Sequence, residues 1–232
     1  MYGFLRALMR LAVALYLAGR FSVSGGGLVP AQGGLLVCAN HRSTIDPPLL
    51  PAYLPRRRTW SLAKVEYFQG SRFTAWIFRS YGAIPVQRNQ ADRRAVKRVL
   101  GLLRAGEVLI VYPEGTRVRE GGMIRAEPGA GFFARSTGVA VQPVGLIGTR
   151  ECFPSGAHWP RRVRVEVRFG PLLRVRPRRP DGRPVEYQEA VDAIMLAIAQ
   201  LLPAELRGDY SDLDRLQAEL AGVTEPAETT GD

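Results

Sequence analysis

A chain of 232 residues that is 46% hydrophobic and 23% charged can bury one substantial core, which excludes a disordered or low-complexity protein. The net charge of +11 is lopsided: eight acids and two bases from Glu205 onward give −6, so residues 1–204 carry +17. Such a surface favours an anionic partner, although 30 of the 32 bases are arginine and a general preference for arginine accounts for part of the excess.

The chain opens with YGFLRALMRLAVALYLAG, of helical composition over 3–18 and free of acids. Arg6 and Arg10 share one helix face, and Phe4, Leu5, Leu8, Leu11, Ala12 and Leu15 form an apolar stripe opposite them. The unbroken apolar run, Leu11–Ala18, is far shorter than the roughly 20 residues of a spanning helix. The pattern predicts an amphipathic helix lying on a membrane surface; a docked helix and a secretory signal are the alternatives. LLVCA (35–39) reads as a buried strand and DPPLLPAYL as a helix start. TWSLAK (59–64) is strand-like, and FQGSRFTAWIFRSYG is helical up to Gly82. AIPV is a strand, ADRRAVKRVLGLLRAG an amphipathic helix ended by Gly106, EVLIVY a strand, GAGFFARSTG a helix ended by Gly138, and VAVQPVGLIG a strand. RVRVEVRFG (162–170) alternates with period two and predicts an edge strand. VEYQEAVDAIMLAIAQLL is a clear helix, DYSDLDRLQAELAG a short acidic one, and VTEPAETTGD has a disordered composition. The alternation predicts an α/β fold, with a largely parallel or mixed central sheet flanked by helices.

Three loops at strand ends carry the chemistry-bearing residues. In NHRSTIDPP, His41 directly follows the first buried strand, at the edge where open α/β sheets bind ligands. Asp46 before Pro47 fits a helix N-cap that needs no histidine. If His41 sits in the loop and Asp46 opens the helix, the carboxylate reaches one ring nitrogen and leaves the other as a base. YPEGTRVRE places Glu114, Gly115 and Arg117 after a second strand; the bland reading is a surface turn. GAIPVQRN ends a third strand in Arg88. VQPVGLIG carries Pro143 within a strand, which marks an edge or a bulge. Ser43 lies two residues from His41, a poor geometry for a triad, and there is no G-x-S-x-G elbow. GAGFFA follows a loop, so it is discounted as a dinucleotide fingerprint, and His158 sits in a proline-bounded loop. Cys38 and Cys152 support neither a disulfide scaffold nor a zinc site, though they leave one disulfide possible.

Taken in order, NHRSTID, GAIPVQR, YPEGTR and VQPVGLIG resemble the four blocks of the glycerolipid acyltransferases, and among these the 1-acyl-sn-glycerol-3-phosphate acyltransferases. The resemblance covers residues 35–148 and is specific as an ordered set. It implies transfer of a fatty acyl group from acyl-CoA or acyl carrier protein to the sn-2 hydroxyl of lysophosphatidic acid, giving phosphatidic acid. It implies His41 as general base and Asp46 as its orienter. Arg88 and Arg117 would hold the acceptor phosphate, with Lys64 as a further member of that cluster. Glu114, Gly115 and Thr116 would shape the acceptor site, and Pro143 the pocket wall. Gln87, Val118 and the lysine-free RAEPGAGFF depart from the family pattern where head-group preference is set.

The organisation expected is a membrane-associating helix (1–24), an acyltransferase domain (25–204) and an acidic, partly disordered tail (205–232). The chain would sit peripherally or monotopically on the cytoplasmic face of the membrane, with an anionic lipid surface as partner and no nucleic acid. No metal and no cofactor are expected, since the thioester donor is a substrate. Other acceptors, such as glycerol-3-phosphate or an amino-lysolipid, stay open, as does a basic binding protein without catalysis.

Overall fold

The computed structural model describes residues 1–56, 58–87 and 92–228. In chain order the elements are α1 (Tyr2–Tyr16), β1 (Phe21–Ser24), β2 (Leu35–Ala39), α2 (Asp46–Tyr53), β3 (Trp60–Lys64), α3 (Glu66–Gln69), α4 (Arg72–Ser80), β4 (Ala83–Val86) and α5 (Arg93–Arg104). They continue with β5 (Val108–Val111), α6 (Gly129–Thr137), β6 (Ala140–Ile147), α7 (Thr149–Cys152), β7 (Val165–Phe169), β8 (Leu173–Val175), α8 (Tyr187–Ala199), α9 (Leu213–Glu219) and β9 (Thr224–Pro226). One mixed sheet runs β1-β7-β6-β2-β5-β3-β4, with β8 joined to β6 and β9 to β8. Strands β6, β2, β5, β3 and β4 are mutually parallel, so their carboxyl ends share one edge. The α/β architecture with a mixed, largely parallel sheet is the one the sequence predicts.

Side-chain alternation divides the core cleanly. Leu36 and Cys38 of β2, and Leu109 and Val111 of β5, join a cluster with Val99, Leu103, Ala130, Phe133 and Ile194 from α5, α6 and α8. Leu35, Val37 and Ala39, with Val108 and Ile110, face the other way onto Val13, Leu17, Leu49, Leu50 and Leu54 from α1 and α2. A fully buried parallel strand needs apolar residues on both faces, which is why LLVCA reads as an unbroken run. Gly131 of the GAGFFA run is a contact point rather than a nucleotide cradle: a Cβ there would lie 2.1 Å from the Tyr187 carbonyl oxygen of α8.

Four expectations need correction. β7 is not an edge strand: it lies between β6 and β1, and the short β1, which the sequence reading missed, takes the edge. Its alternation reflects half-burial on one face. Pro143 is neither at an edge nor in a bulge, because β6 changes partner there. Val141 pairs with Leu173 of β8, and Val144–Ile147 pair with β7. The Pro143 carbonyl accepts the Gly170 N–H (2.9 Å), so its nitrogen faces the same side, where no ladder bond is required. In the acidic segment the expected short helix forms as α9, but 223–226, expected to be disordered, is packed: Val223 is buried and β9 pairs with β8. Residues 229–232 lie outside the described set. The cysteines need no correction: Cys38 and Cys152 are both free and buried, and the one disulfide the sequence left open does not form.

The fourth correction concerns α1. Arg6 and Arg10 do not form an outward polar face. They turn inward onto the carboxyl end of α2, where helix carbonyls lack partners and carry negative dipole. The Arg6 guanidinium donates to the carbonyls of Leu54 (2.7 Å) and Arg56, and Arg10 Nε donates to Ala52 (2.6 Å). Val13 and Leu17 are buried beneath. Phe4, Leu8, Leu11 and Leu15, spaced as one helical stripe, are left facing outward, from 51 to 71% exposed. Among the described residues, no helix is long and apolar enough to cross a membrane.

Replacing both arginines (Arg6→Ala with Arg10→Ala) should cost about 2 kcal/mol through the orphaned carbonyls, a fall in Tm of roughly 4–8 °C for a domain of this size. An unchanged Tm in thermal unfolding would show that water replaces both caps without loss.

Candidate active site

β2 and β5 are neighbours, so the loops leaving their carboxyl ends lie side by side. Asn40 is the first residue past β2 and is fully buried. Its amide donates to the Leu146 carbonyl (2.9 Å) and accepts the Leu146 N–H (2.7 Å), extending the ladder to β6 by one side chain as the backbone departs. That fixes the point from which His41 projects.

Asp46 organises the loop that follows. It is the first residue of α2 rather than its cap, and Ile45 holds the cap position. Pro47 and Pro48 occupy early positions whose N–H groups would be unpaired in any case. The carboxylate does not serve the helix; it turns back. One oxygen, Oδ2, accepts from His41 Nδ1 (2.9 Å), the Arg42 N–H (2.8 Å) and the Ser43 N–H (2.7 Å). Asp46 is wholly buried, whereas the His41 side chain keeps 13% exposure. An ionised carboxylate only accepts, so Nδ1 carries the hydrogen and Nε2 presents its lone pair. Behind the ring lies Tyr112, stacked at 4.2 Å and 25°. Burial and the Asp46 charge push the Tyr112 hydroxyl pKa upward, so it stays neutral.

The β5 loop is tied to the β2 loop at both ends of His41. Val118 N–H donates to the His41 carbonyl (2.8 Å), and the His41 N–H donates to Glu114 Oε2 (2.7 Å). Glu114 is only 3% exposed. Burial, opposed chiefly by the His41 amide, pushes its pKa up to about 8. Burial thus favours its neutral form at pH 7; Oε2 braces the His41 backbone, while Oε1 has no hydrogen-bond partner among the described residues. Gly115 follows in the left-handed region (φ +65°), where a side chain would be strained, and its N–H closes a turn onto the Tyr112 carbonyl (3.0 Å). Thr116 is exposed and Arg117 half-buried, both between the two ties. Lys64 ends β3 at the same sheet edge, half-buried.

The remaining candidates fare differently. Arg88 falls outside the described residues. Pro143 is in register with Cys38, three residues before His41, and lies within the sheet beside Gly170. The Ser43 hydroxyl donates to the Phe153 carbonyl (3.0 Å) and is unavailable to His41, which removes the triad reading. His158 is exposed in the 153–160 loop. Among the described residues no group of three His, Cys, Asp or Glu side chains could hold a metal ion.

Sequence reasoning missed three contributors. Tyr112 and Asn40 flank motif residues directly, and a buried polar residue ending an apolar strand was the available signal for Asn40. Arg42 is 6% exposed and its Nη1 donates to the Gly121 carbonyl (2.6 Å), a third link between the loops. Nothing in the sequence distinguishes it from a surface arginine.

Residues 20–147 match the family model described as Acyltransferase. The chain is 36% identical, over 35% of its length, to the chloroplastic 1-acyl-sn-glycerol-3-phosphate acyltransferase LPAT1 of Arabidopsis thaliana, the match covering 24% of that protein. It is 33% identical to the lyso-ornithine lipid O-acyltransferase of Pseudomonas aeruginosa, over 63% of this chain and 54% of that one. It is 28% identical to the 1-acyl-sn-glycerol-3-phosphate acyltransferase of Bacillus subtilis, over 47% and 55%. The chain thus spans between a quarter and about half of these relatives. The crystal structure of the LPA acyltransferase PlsC from Thermotoga maritima shares the fold, with a TM-score of 0.70 and 22% identity over 86% of this chain and 78% of that one.

Because Glu114 keeps its proton to about pH 8 when folded and loses it near 4.5 when unfolded, the native state binds more protons across that window. Stability should therefore fall as pH rises from 4.5 to 8 and level off above. Urea midpoints measured across pH should show this slope in the wild type and a flat line in Glu114→Gln; a slope that survives the substitution belongs to another group.

Proposed function

From the premise that this chain belongs to the acyltransferase family, we propose that it transfers a fatty acyl group from a thioester to the sn-2 hydroxyl of 1-acyl-glycerol-3-phosphate, making phosphatidic acid. The observation that carries the reading is Asp46 Oδ2, which gathers the His41 ring and two backbone amides and so aims Nε2 outward. His41 Nε2 removes the proton of the acceptor hydroxyl as its oxygen attacks the thioester carbonyl. The tetrahedral intermediate collapses with loss of the thiolate, which takes the proton back from the imidazolium. The thioester is already activated, so no enzyme-bound acyl group is needed. Arg117 and Lys64, with Arg88 of the GAIPVQR block, are assigned the acceptor phosphate, since guanidinium forks and ammonium groups bind such oxygens by charge-assisted hydrogen bonds. Glu114, Gly115 and Val118 position the loop that carries Arg117.

The outward stripe of α1 supports a peripheral site on a membrane. Aromatic side chains extend it at both ends. Tyr81, closing α4, donates to the Leu5 carbonyl (3.3 Å), and α4 exposes the stacked pair Phe73 and Trp76. Tyr16 hydrogen-bonds the Pro160 carbonyl, beside Trp159, which is 82% exposed. A leucine stripe flanked by aromatics fits the boundary between headgroups and acyl chains, where a lysolipid acceptor resides. Binding there is apolar in origin, because Arg6 and Arg10 are occupied with α2.

The second reading keeps the chemistry and changes the acceptor to an amino-lysolipid. It is favoured by the 33% identity to a lyso-ornithine lipid O-acyltransferase over 63% of this chain.

Thiol release from a long-chain acyl-CoA, with and without lysophosphatidic acid, tests the reading. Release should require the acceptor and fall about 10²–10⁴-fold in His41→Ala. A folded protein inactive with acyl-CoA, acyl carrier protein and several lyso-acceptors would overturn it; preference for the ornithine lysolipid would select the second reading. Replacing Leu8, Leu11 and Leu15 together by serine should abolish co-sedimentation with vesicles, neutral ones included, while leaving the Tm near that of the wild type. Retained sedimentation would place the lipid contact elsewhere.

A further inference from the structure

Helix α5 carries an unmatched face. Arg93, Arg94, Lys97, Arg98 and Arg104 are exposed, and no acid occurs between residues 93 and 106. Among the described residues none of the five makes an ion pair, and only Arg98 has an aromatic partner, Trp60, at 5.5 Å. Arg93, Lys97 and Arg104 rim a shallow groove of about 490 Å³ floored by Val96, Leu100 and Gly101. Two features of this face work against the helix itself. Bases in the first turn oppose the positive end of the helix dipole. Gly101, exposed in mid-helix, is a poor helix former, yet a Cβ there would meet nothing within 4 Å, so no internal contact requires the glycine. Both features fit an external occupant that brings negative charge and approaches the backbone closely.

The position of α5 says which occupant. It packs on the sheet face of Leu36, Cys38, Leu109 and Val111, whereas α1 and its apolar stripe lie on the opposite face. A membrane against α1 leaves α5 facing away from lipid. The groove spans three helical turns, about 16 Å, and has an apolar floor between basic rims, which suits an acidic amphipathic helix better than a uniformly charged phosphate backbone. The first turn of α5 follows β4 and so opens at the sheet's carboxyl edge. β4 stands three strands from β2, about 14 Å from the root of His41. A thioester on a flexible arm, carried by a protein seated on α5, is within reach of that edge.

We propose that the α5 face docks an acidic, helical carrier protein that delivers the acyl chain as its thioester. The proposal rests on the acyl-transfer reading for its purpose, but docking is measurable without turnover. The probe is acyl carrier protein bearing a long-chain acyl thioester, its binding followed by fluorescence anisotropy at low and high salt. Wild-type protein should bind it in a salt-sensitive manner. Arg93→Gln with Lys97→Gln and Arg104→Gln should weaken binding about tenfold or more and raise KM for this donor to match. Turnover with acyl-CoA and co-sedimentation with vesicles should stay within about twofold of the wild type, because the face serves neither. Gly101→Gln improves helix propensity and fills the groove, so it should weaken docking in a protein at least as stable. Wild-type protein that fails to bind the carrier overturns the proposal even if acyl-CoA is turned over. So does equal loss with both donors, loss of vesicle binding instead, or carrier binding untouched by either variant. Absence of turnover with any donor would sink the acyl-transfer reading and leave the docking measurement to stand or fall on its own.

Discussion

One carboxylate oxygen sets the geometry of the site. Asp46 Oδ2 takes three donors from the five residues before it, and this turns the chain back from the end of β2 into α2. Such an oxygen buried without partners would be costly; with three charge-assisted bonds it is a rigid node. The same node fixes the His41 tautomer. Loop shape and base orientation are therefore one constraint, and substitution of Asp46 disturbs both at once. A carboxamide at position 46 could still offer one oxygen to the three donors, but it would carry no charge, so the bonds would no longer be charge-assisted.

Around that node the two strand-end loops form a single body. The contacts Glu114–His41, Val118–His41 and Arg42–Gly121 span residues far apart in the chain, and they depend on β2 and β5 being adjacent. Adjacency in turn rests on the apolar runs 35–39 and 108–111, buried on both faces. The path from sequence to site is thus short: two apolar strands dictate a neighbouring pair, and the pair brings two loops within hydrogen-bond distance. Glu114 shows how burial changes a role. In the sequence it is an acid beside an arginine and looks available to substrate; in the fold it is a neutral support.

The fold was legible where periodicity was strong. The strands at 35–39, 83–86 and 108–111 and the helices at 93–104 and 187–199 follow from apolar pattern and glycine stops. The His41/Asp46 pairing was legible from its spacing and its place after a buried strand. What stayed hidden depends on contacts remote in sequence. β1, β8 and β9 are three or four residues long, with no periodicity to read, and exist because a neighbouring strand offers ladder bonds. The edge reading of β7 failed because half-burial and edge position give the same alternation. The disordered reading of VTEPAETTGD failed at its start because low hydrophobicity concealed Val223, which is fully buried, and the ladder that β8 offers to β9. Tyr112 had no signal at all, since an aromatic ending a strand is ordinary.

Arginine use resolves the ambiguity of the net charge. Much of the excess is structural, with guanidinium groups capping backbone carbonyls that the fold leaves open. Arg10 caps Ala52, Arg56 caps Pro30 and Gly33, Arg168 caps Leu201, and Arg207 caps Ala199 and Leu202. A planar donor with five hydrogens suits that task. Against this background the α5 bases are set apart by clustering on one helix face around an apolar groove. Among the described residues they cap no carbonyl and make no ion pair, and two of them, Arg93 and Arg94, sit in the first turn, where the helix dipole disfavours a base. Charge that serves the fold and charge that serves an encounter are thus separable by a single criterion, whether the donor hydrogens are already used within the chain.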